Sequence, residues 1–211
     1  QYVQANKINY MRNSVKAIVD AYDGSVRLFR WDDQDPILRT WEKIYPGSVE
    51  PVSAISGDLM SHLRYPEDMF KVQRNLLATY HVTDAAGFYS GGDRWRLAEE
   101  TSTHGAASSS DSSTRVDAAG NPVPAPTALQ PPYYLTMQMP GQDSAEFSLT
   151  SVFVPGGGGE GRREAMAGFL AVDSETGNTP GQVREGYGKL RLLALPSSTT
   201  VPGPGQVQNK Y

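Results

Sequence analysis

The feature that most constrains the fold is a series of β-forming runs joined by short, turn-forming connections. Residues 15–31, VKAIVDAYDGSVRLFRW, place Asp23-Gly24 between two such runs. An Asp-Gly pair is a strong signal for a two-residue type I′ turn, which needs positive φ at both positions. Strands joined this tightly pair antiparallel. The chain is therefore predicted to build its sheet from hairpins, and a parallel, doubly wound sheet is disfavoured.

Two further pairs of β-forming runs follow in the C-terminal half. YYLTMQM and EFSLTSVFV flank Pro140-Gly141, and AMAGFLAVD precedes YGKLRLLALP. We expect the strands of residues 15–31 and 133–195 to form one antiparallel sheet.

Helical signals occupy residues 36–90. In DPILRTWEKIYPG, Asp35 can cap a helix and Pro36 suits its first turn. Four apolar residues fall on one face of that helix: Ile37, Leu38, Trp41 and Ile44. Ser56 can cap a second, short helix. The helical segment is predicted to pack on one face of the sheet, which makes the fold α+β.

A longer helix is predicted to begin at Pro66. Glu67 and Asp68 fall in its first turn, where the helix dipole favours anions. Arg64 is close enough to pair with them, so RYPED is predicted to orient the start of this helix. One stripe of side chains, flanked by Phe70 and Leu77, is predicted as its core-facing side: Met69, Val72, Gln73, Leu76 and Tyr80.

A low-complexity stretch interrupts the chain at 101–130. It is rich in Ser, Ala, Pro and Gly and has almost nothing to bury, so it is predicted to be a flexible insertion. The length of 211 residues suits one domain, and the flanks of the stretch look ordered. We therefore expect residues 1–211 to form a single α+β domain.

Composition and charge exclude several classes of protein. The net charge is -4, with 19 Lys+Arg against 23 Asp+Glu, so no basic field favours nucleic acid as a partner. The chain has no cysteine, which excludes disulfides and zinc sites that need thiolates. No apolar run is long enough for a membrane span. Because the first residue is Gln1 and no signal sequence follows, we expect a fragment of a longer protein or a processed product.

A glycine-rich stretch at 154–163, VPGGGGEGRR, has the outline of a phosphate-binding loop. Gly156 and Gly161 have the right spacing, but Arg162 and Arg163 occupy the positions of the essential Lys and Ser/Thr. The following residues are predicted to form a strand, whereas a phosphate loop opens a helix. We interpret the stretch as a connection between two antiparallel strands, and we expect no cofactor.

No complete catalytic or metal-binding motif is present. The histidines are His62, His81 and His104, and no H-E-x-x-H spacing or comparable ligand set exists, so no metal site is predicted. The G-x-S-x-G elbow of α/β-hydrolases is also missing. Glu67 and Asp68 could do acid–base chemistry, but we interpret them as charges that stabilise the start of a helix.

The best candidate for a binding site lies beyond the far end of the long helix. It combines one histidine, two carboxylates and two aromatic residues around Gly91-Gly92: His81, Asp84, Tyr89, Asp93 and Trp95. The aromatic residues of this region could line a groove for a sugar or peptide, although we interpret them as core packing under the helices: Tyr80, Phe88, Tyr89 and Trp95.

Several stretches together resemble a known family. HLRYPEDMFKVQRNLLATYHVTDAAGFYSGGDRW at 62–95, NYMRNSVKAIVDAYDGSV, FLAVDSETG and VPGPGQVQ are similar to uncharacterised protein family 0182. This family comprises large, multi-pass integral membrane proteins of actinobacteria and cyanobacteria. The resemblance covers nearly the whole chain except 101–130 and the glycine run, which is longer than expected for the family.

The resemblance implies a longer parent protein at the cell membrane. Its membrane spans would precede a large soluble, extracytoplasmic region, and this chain would be part of that region. The transmembrane region of the same protein would then be a partner of this chain. The family has no established activity, so no catalytic residues carry over. We expect a non-catalytic role in binding or assembly, with envelope proteins or cell-wall components as partners. The alternatives are an envelope hydrolase that uses Glu67, Asp68, Asp84 or His81, and the extracytoplasmic part of a transporter.

Overall fold

The structure is a computed structural model with an α+β fold. It describes residues 10–100, 115–116, 122–123, 129–156, 165–196 and 201–208. The strands are β1 Val15–Val19, β2 Val26–Arg30, β3 Glu50–Pro51, β4 Trp95–Leu97, β5 Arg115–Val116, β6 Pro122–Val123, β7 Tyr133–Met137, β8 Glu146–Pro155, β9 Gly168–Asp173 and β10 Leu190–Ala194. The helices are α1 Pro36–Ile44, α2 Gly57–His62, α3 Glu67–Tyr80, α4 Ala85–Ser90 and α5 Pro204–Gln208, with a 3-10 turn at Val52–Ala54. The predicted fold class is confirmed.

The strands lie in two mostly antiparallel sheets instead of the one expected. The first sheet has the order β1-β2-β3, and the second has the order β10-β9-β8-β4 with β7 also paired to β8. β5 and β6 form a separate short ladder. The free edge of β2 is taken by β3, which runs parallel to it. Hairpin signals are local, so they identify neighbours within a hairpin but do not tell which hairpins share a sheet.

The first hairpin forms at the predicted place but with a longer turn. β1 and β2 pair antiparallel, with Val19 opposite Val26. Six residues, Asp20–Ser25, connect them, so the prediction of a two-residue turn is wrong. Gly24 has φ 75°, and its N–H donates to the Asp20 carbonyl at 2.9 Å. The glycine therefore supplies the left-handed conformation within a wider loop.

The predicted helix caps are confirmed. The Asp35 carboxylate accepts a hydrogen bond from the Ile37 N–H at 2.9 Å, and Ser56 Oγ accepts one from the Leu59 N–H at 3.3 Å. Gly91 ends α4 in the left-handed conformation, with φ 68°. Each cap satisfies backbone groups that the helix itself leaves unpaired.

The buried side of α3 differs from the predicted stripe. Its buried residues are Phe70, Arg74 and Ala78, whereas Leu76 and Tyr80 are exposed. Arg74 donates to the Gln130 carbonyl at 3.0 Å and lies 3.3 Å from Ser151 Oγ. The apolar pattern favours the other side of α3, because the buried side of this helix includes the charged Arg74.

The described residues group into two compact units. The first takes its residues from Gln1–Gln73, Tyr134–Leu149 and Val172–Leu190, and its core is a cluster of Phe29, Ile55 and Met60. The second takes its residues from Arg74–Tyr133, Thr150–Ala171 and Arg191–Tyr211 and buries Leu97, Phe153 and Leu170.

Most of the predicted flexible insertion at 101–130 lies outside the described residues. Its flexibility, like the single-domain organisation, stays a prediction. Within the described ranges, no helix is long and apolar enough to cross a membrane.

Candidate functional site

Two of the predicted binding residues form a tight stack. His81 directly follows α3, and Trp95 is the first residue of β4. Their rings lie 3.5 Å apart between centroids at an angle of 16°, and the indole also contacts the Phe153 ring at 5.3 Å. His81 Nδ1 lies 2.9 Å from the Leu77 carbonyl oxygen, which can only accept, so Nδ1 is the protonated nitrogen. The hydrogen bond to Leu77 and the stacking on Trp95 together fix the orientation of the His81 ring.

The absence of a side chain at Gly168 leaves room for the Trp95 ring of this stack. A Cβ there would lie 2.7–2.8 Å from two ring atoms of Trp95, closer than carbon atoms approach without displacement. Gly168 opens β9, so the indole lies directly over the start of that strand. No sequence motif marks this contact, because it joins positions 73 residues apart.

The two carboxylates of the predicted site flank Gly87. Asp84 is the N-cap of α4, and its Oδ2 accepts a hydrogen bond from the Gly87 N–H at 2.6 Å. A Cβ at Gly87 would lie 3.3 Å from that oxygen and 3.0 Å from Asp93 Oδ2. Asp84 and Asp93 therefore approach each other, but one oxygen of Asp84 is already used in capping the helix.

Tyr89 is the most exposed of the five predicted binding residues. Its ring makes an edge contact with Phe88 at 5.9 Å and otherwise faces solvent. The Arg94 guanidinium lies over the same Phe88 ring at 5.9 Å. The structure thus arranges the five residues as a stacked pair, a carboxylate pair and one outward tyrosine. Whether they bind a ligand stays a prediction.

The RYPED segment does begin a helix, but its charges pair differently from the prediction. Pro66 immediately precedes α3, and its carbonyl accepts the first helical hydrogen bond. Glu67 and Asp68 form ion pairs with Lys71 at 2.5 Å and 3.5 Å, one helical turn further on. The helix geometry brings residues three and four apart together, which explains this choice of partner.

Arg64 closes the end of the preceding helix instead of pairing with Glu67 or Asp68. Its Nη1 donates to the Ser61 and Leu63 carbonyls at 2.6 Å and 2.9 Å, and its guanidinium lies 5.4 Å from the centre of the Phe147 ring. Carbonyls at a helix C-terminus lack helical partners, which makes them good acceptors for this donor.

Lys16 is a half-buried lysine that no sequence motif marks. Lys16 Nζ donates to the Arg64 carbonyl at 3.1 Å and lies 5.0 Å from the centre of the Trp31 ring. Burial lowers the pKa of Lys16 to about 8. Tyr187 packs edge-on against Trp31 at 5.7 Å, and burial raises the pKa of Tyr187 well above its ordinary value. A lysine within a β-strand carries no local signal for such an environment.

The glycine run is described only at its first residue, Gly156. The Gly156 N–H donates to the Arg94 carbonyl at 2.7 Å, and a Cβ at this position would lie 2.7 Å from that oxygen. The absence of a side chain at Gly156 therefore permits its backbone to approach that of Arg94 closely. The run connects β8 to β9, which are neighbours in the sheet, as predicted. Residues 157–164, with Arg162 and Arg163, lie outside the described residues, as does His104.

The apolar residues of α1 are exposed more than the sequence suggested. Only Leu38 is buried, and the other three members of the predicted face are exposed: Ile37, Trp41 and Ile44. In the part of the chain that the structure describes, no three histidine or carboxylate side chains are placed to hold a metal ion.

Comparison with known proteins identifies the family. The model of an uncharacterised protein family, UPF0182, matches residues 1–211. The chain belongs to the UPF0182 family. This confirms the resemblance drawn from the sequence.

Relatives of this UPF0182 chain come from several actinobacteria. A UPF0182 protein of Leifsonia xyli is 53% identical over 97% of the chain and 19% of the relative's length. One from Clavibacter sepedonicus is 51% identical over 99% of the chain and 20% of its own length, and one from Bifidobacterium longum is 48% identical over 98% and 18%. The chain thus spans about a fifth of the curated relatives it matches. No solved structure matches it.

Proposed function

We propose that this UPF0182 chain is a non-catalytic domain of a longer membrane protein, where it serves binding or assembly on the extracytoplasmic side of the cell envelope. One observation carries the proposal: side chains that could do chemistry hold the fold together instead. Asp84 caps α4, His81 is hydrogen-bonded to a helix carbonyl and stacked on an indole, and Glu67 and Asp68 pair with a lysine on their own helix.

An envelope hydrolase would need two such groups to face the same reacting atoms. The Asp84 and Asp93 carboxylates come closest to this arrangement, since both flank Gly87. Asp84, however, meets the requirements of a helix cap, with its oxygen on the N–H three residues ahead. A structural role accounts for its position fully.

The location is inferred from the family resemblance and from length. The relatives extend far beyond the matched part, about four fifths of each lying outside it. A parent of that size has room for the membrane spans that the resemblance implies.

Two experiments test the two parts of the proposal in the full-length protein. For location, Leu76→Cys is placed in a cysteine-free background, since residue 76 is exposed and the chain itself has no cysteine. A membrane-impermeant maleimide should label it on intact cells. Labelling only after the membrane is permeabilised would refute the extracytoplasmic location.

For the non-catalytic role, Asp84→Asn removes the acid–base group but keeps a good helix cap. A strain lacking the protein should be complemented by this variant as well as by the wild type. Loss of complementation, with the variant present at normal level in the membrane, would favour a hydrolase.

A further inference from the structure

The first unit exposes an unusual share of the large apolar side chains. Of twenty such exposed side chains among the described residues, ten lie between Tyr10 and Tyr45. Six of them lie on regular elements, and we call them the α1–hairpin surface: Val15, Val19, Val26, Ile37, Trp41 and Ile44. Concentrated apolar surface of this kind marks interaction sites.

One half of this surface is the outer face of the first hairpin. Alternate residues of paired strands share a face, so Val15, Val19 and Val26 lie together on one side. Phe29 lies on the opposite side and is completely buried in the core of its unit. The outer face is therefore the uncovered side of a sheet whose other side packs.

The other half is the outward side of α1. Ile37, Trp41 and Ile44 are 50%, 54% and 57% exposed. The Trp41 and Tyr45 rings stack at 5.6 Å and 13°, which orients the indole before any partner arrives. An aromatic side chain that is already ordered loses little conformational freedom on binding.

An ion pair joins the two halves. Arg30 lies on the same hairpin face as Val15 and Val26, and its Nη2 meets Glu42 of α1 at 2.7 Å. This pair links α1 to the hairpin, and each of the two charges is compensated by the other.

We propose that an apolar segment of the same polypeptide, from outside these 211 residues, covers the α1–hairpin surface. This inference rests on the proposed function, because it requires the longer parent protein. It is supported by length: about four fifths of each relative lies outside the matched part, so most of the parent polypeptide is able to supply the segment. The covering segment would remove Trp41 and Ile44 from water, and this burial of apolar surface supplies the favourable free energy of the contact.

Photo-cross-linking in the full-length protein tests this. The photoreactive amino acid p-benzoylphenylalanine replaces Trp41, and in a second variant Tyr45, in native membranes. The matched control carries it at Leu76, which is 53% exposed on α3 against 54% for Trp41. Cross-linked peptides are identified by mass spectrometry from cells that co-express two distinguishable copies of the protein.

The expected result is a cross-link within one polypeptide, from position 41 or 45 to a segment outside residues 1–211, that is lost with the probe at position 76. Cross-links between the two copies, to lipid, or to another protein would overturn the proposal. So would the absence of any cross-link that exceeds the control. Maleimide labelling of Leu76→Cys reports location alone, so the failure of either proposal can be recognised separately.

Discussion

The amine of Lys16 offers a quantitative test of the structure. Burial lowers its pKa from 10.5 to about 8. The Arg64 carbonyl and the Trp31 ring both stabilise the ammonium, but neither carries a full counter-charge. Among the described residues, no carboxylate forms an ion pair with it, so the cost of removing the charge from water dominates.

The sign of the stability effect follows from proton binding. Between pH 8 and 10.5, Lys16 is protonated in the unfolded chain but not in the folded chain, so its contribution to stability rises with pH across this window. The full shift corresponds to about 3 kcal/mol at 1.36 kcal/mol per pKa unit. Because the side chain is only partly buried and solvent screens its charge, about 1–3 kcal/mol is the expected range.

The substitution Lys16→Met removes the charge and keeps an unbranched side chain that is one atom shorter. The difference in unfolding free energy between the wild type and this variant should change by that amount from pH 8 to pH 10.5. Lys43→Met, at an exposed lysine, is the control and should show no such change. NMR titration of the lysine ε-carbons should give Lys16 a midpoint near 8. A midpoint near 10.5, together with a difference in unfolding free energy that does not change with pH, would show that burial does not lower the pKa of Lys16.

Two further substitutions test the second unit. Gly168→Ala should destabilise this unit by about 1–3 kcal/mol in urea unfolding, because the new methyl group meets the Trp95 ring. The control is Gly92→Ala, where the nearest atom is 3.6 Å away, and it should lower the stability far less. Equal losses of stability in the two variants would contradict the close contact. Asp84→Ala should cost about 1 kcal/mol through the lost cap of α4, whereas Asp84→Ser should restore most of it; an undiminished stability of the Ala variant would show that the cap contributes nothing.

Local signals in the sequence predicted local structure well. The caps at Asp35 and Ser56 depend on residues within a few positions of each other, and both are confirmed. The hairpin at 15–31 also formed, because its two strands are close in sequence. The wider turn shows that a glycine signal fixes a conformation but not the length of a loop.

Features that depend on distant residues could not be predicted. The first hairpin forms its sheet with Glu50–Pro51, a segment that carries no strong strand signal. The burial of Arg74 depends on acceptors far away at Gln130 and Ser151. The apolar stripe on α3 therefore identified a helix correctly but not its buried side.

The candidate site shows the same division. The sequence grouped His81 and Trp95 because both lie near the far end of α3, and the structure brings them into contact. The reason for the contact, the missing side chain at Gly168, lies on a distant strand. The exposure of Trp41 could not be predicted either, because an amphipathic helix has the same pattern whether its apolar side meets the core or a partner.

One measurement bears on both proposals, namely that this chain is an extracytoplasmic binding domain and that its α1 side is covered in the parent protein. The most direct test compares maleimide labelling of Trp41→Cys and Leu76→Cys in the full-length protein on intact cells, since the two positions are equally exposed in the chain itself. We predict rapid labelling at position 76, slow labelling at position 41, and equal rates after denaturation. Equal rates on intact cells, or no labelling at either position until the membrane is opened, would contradict it.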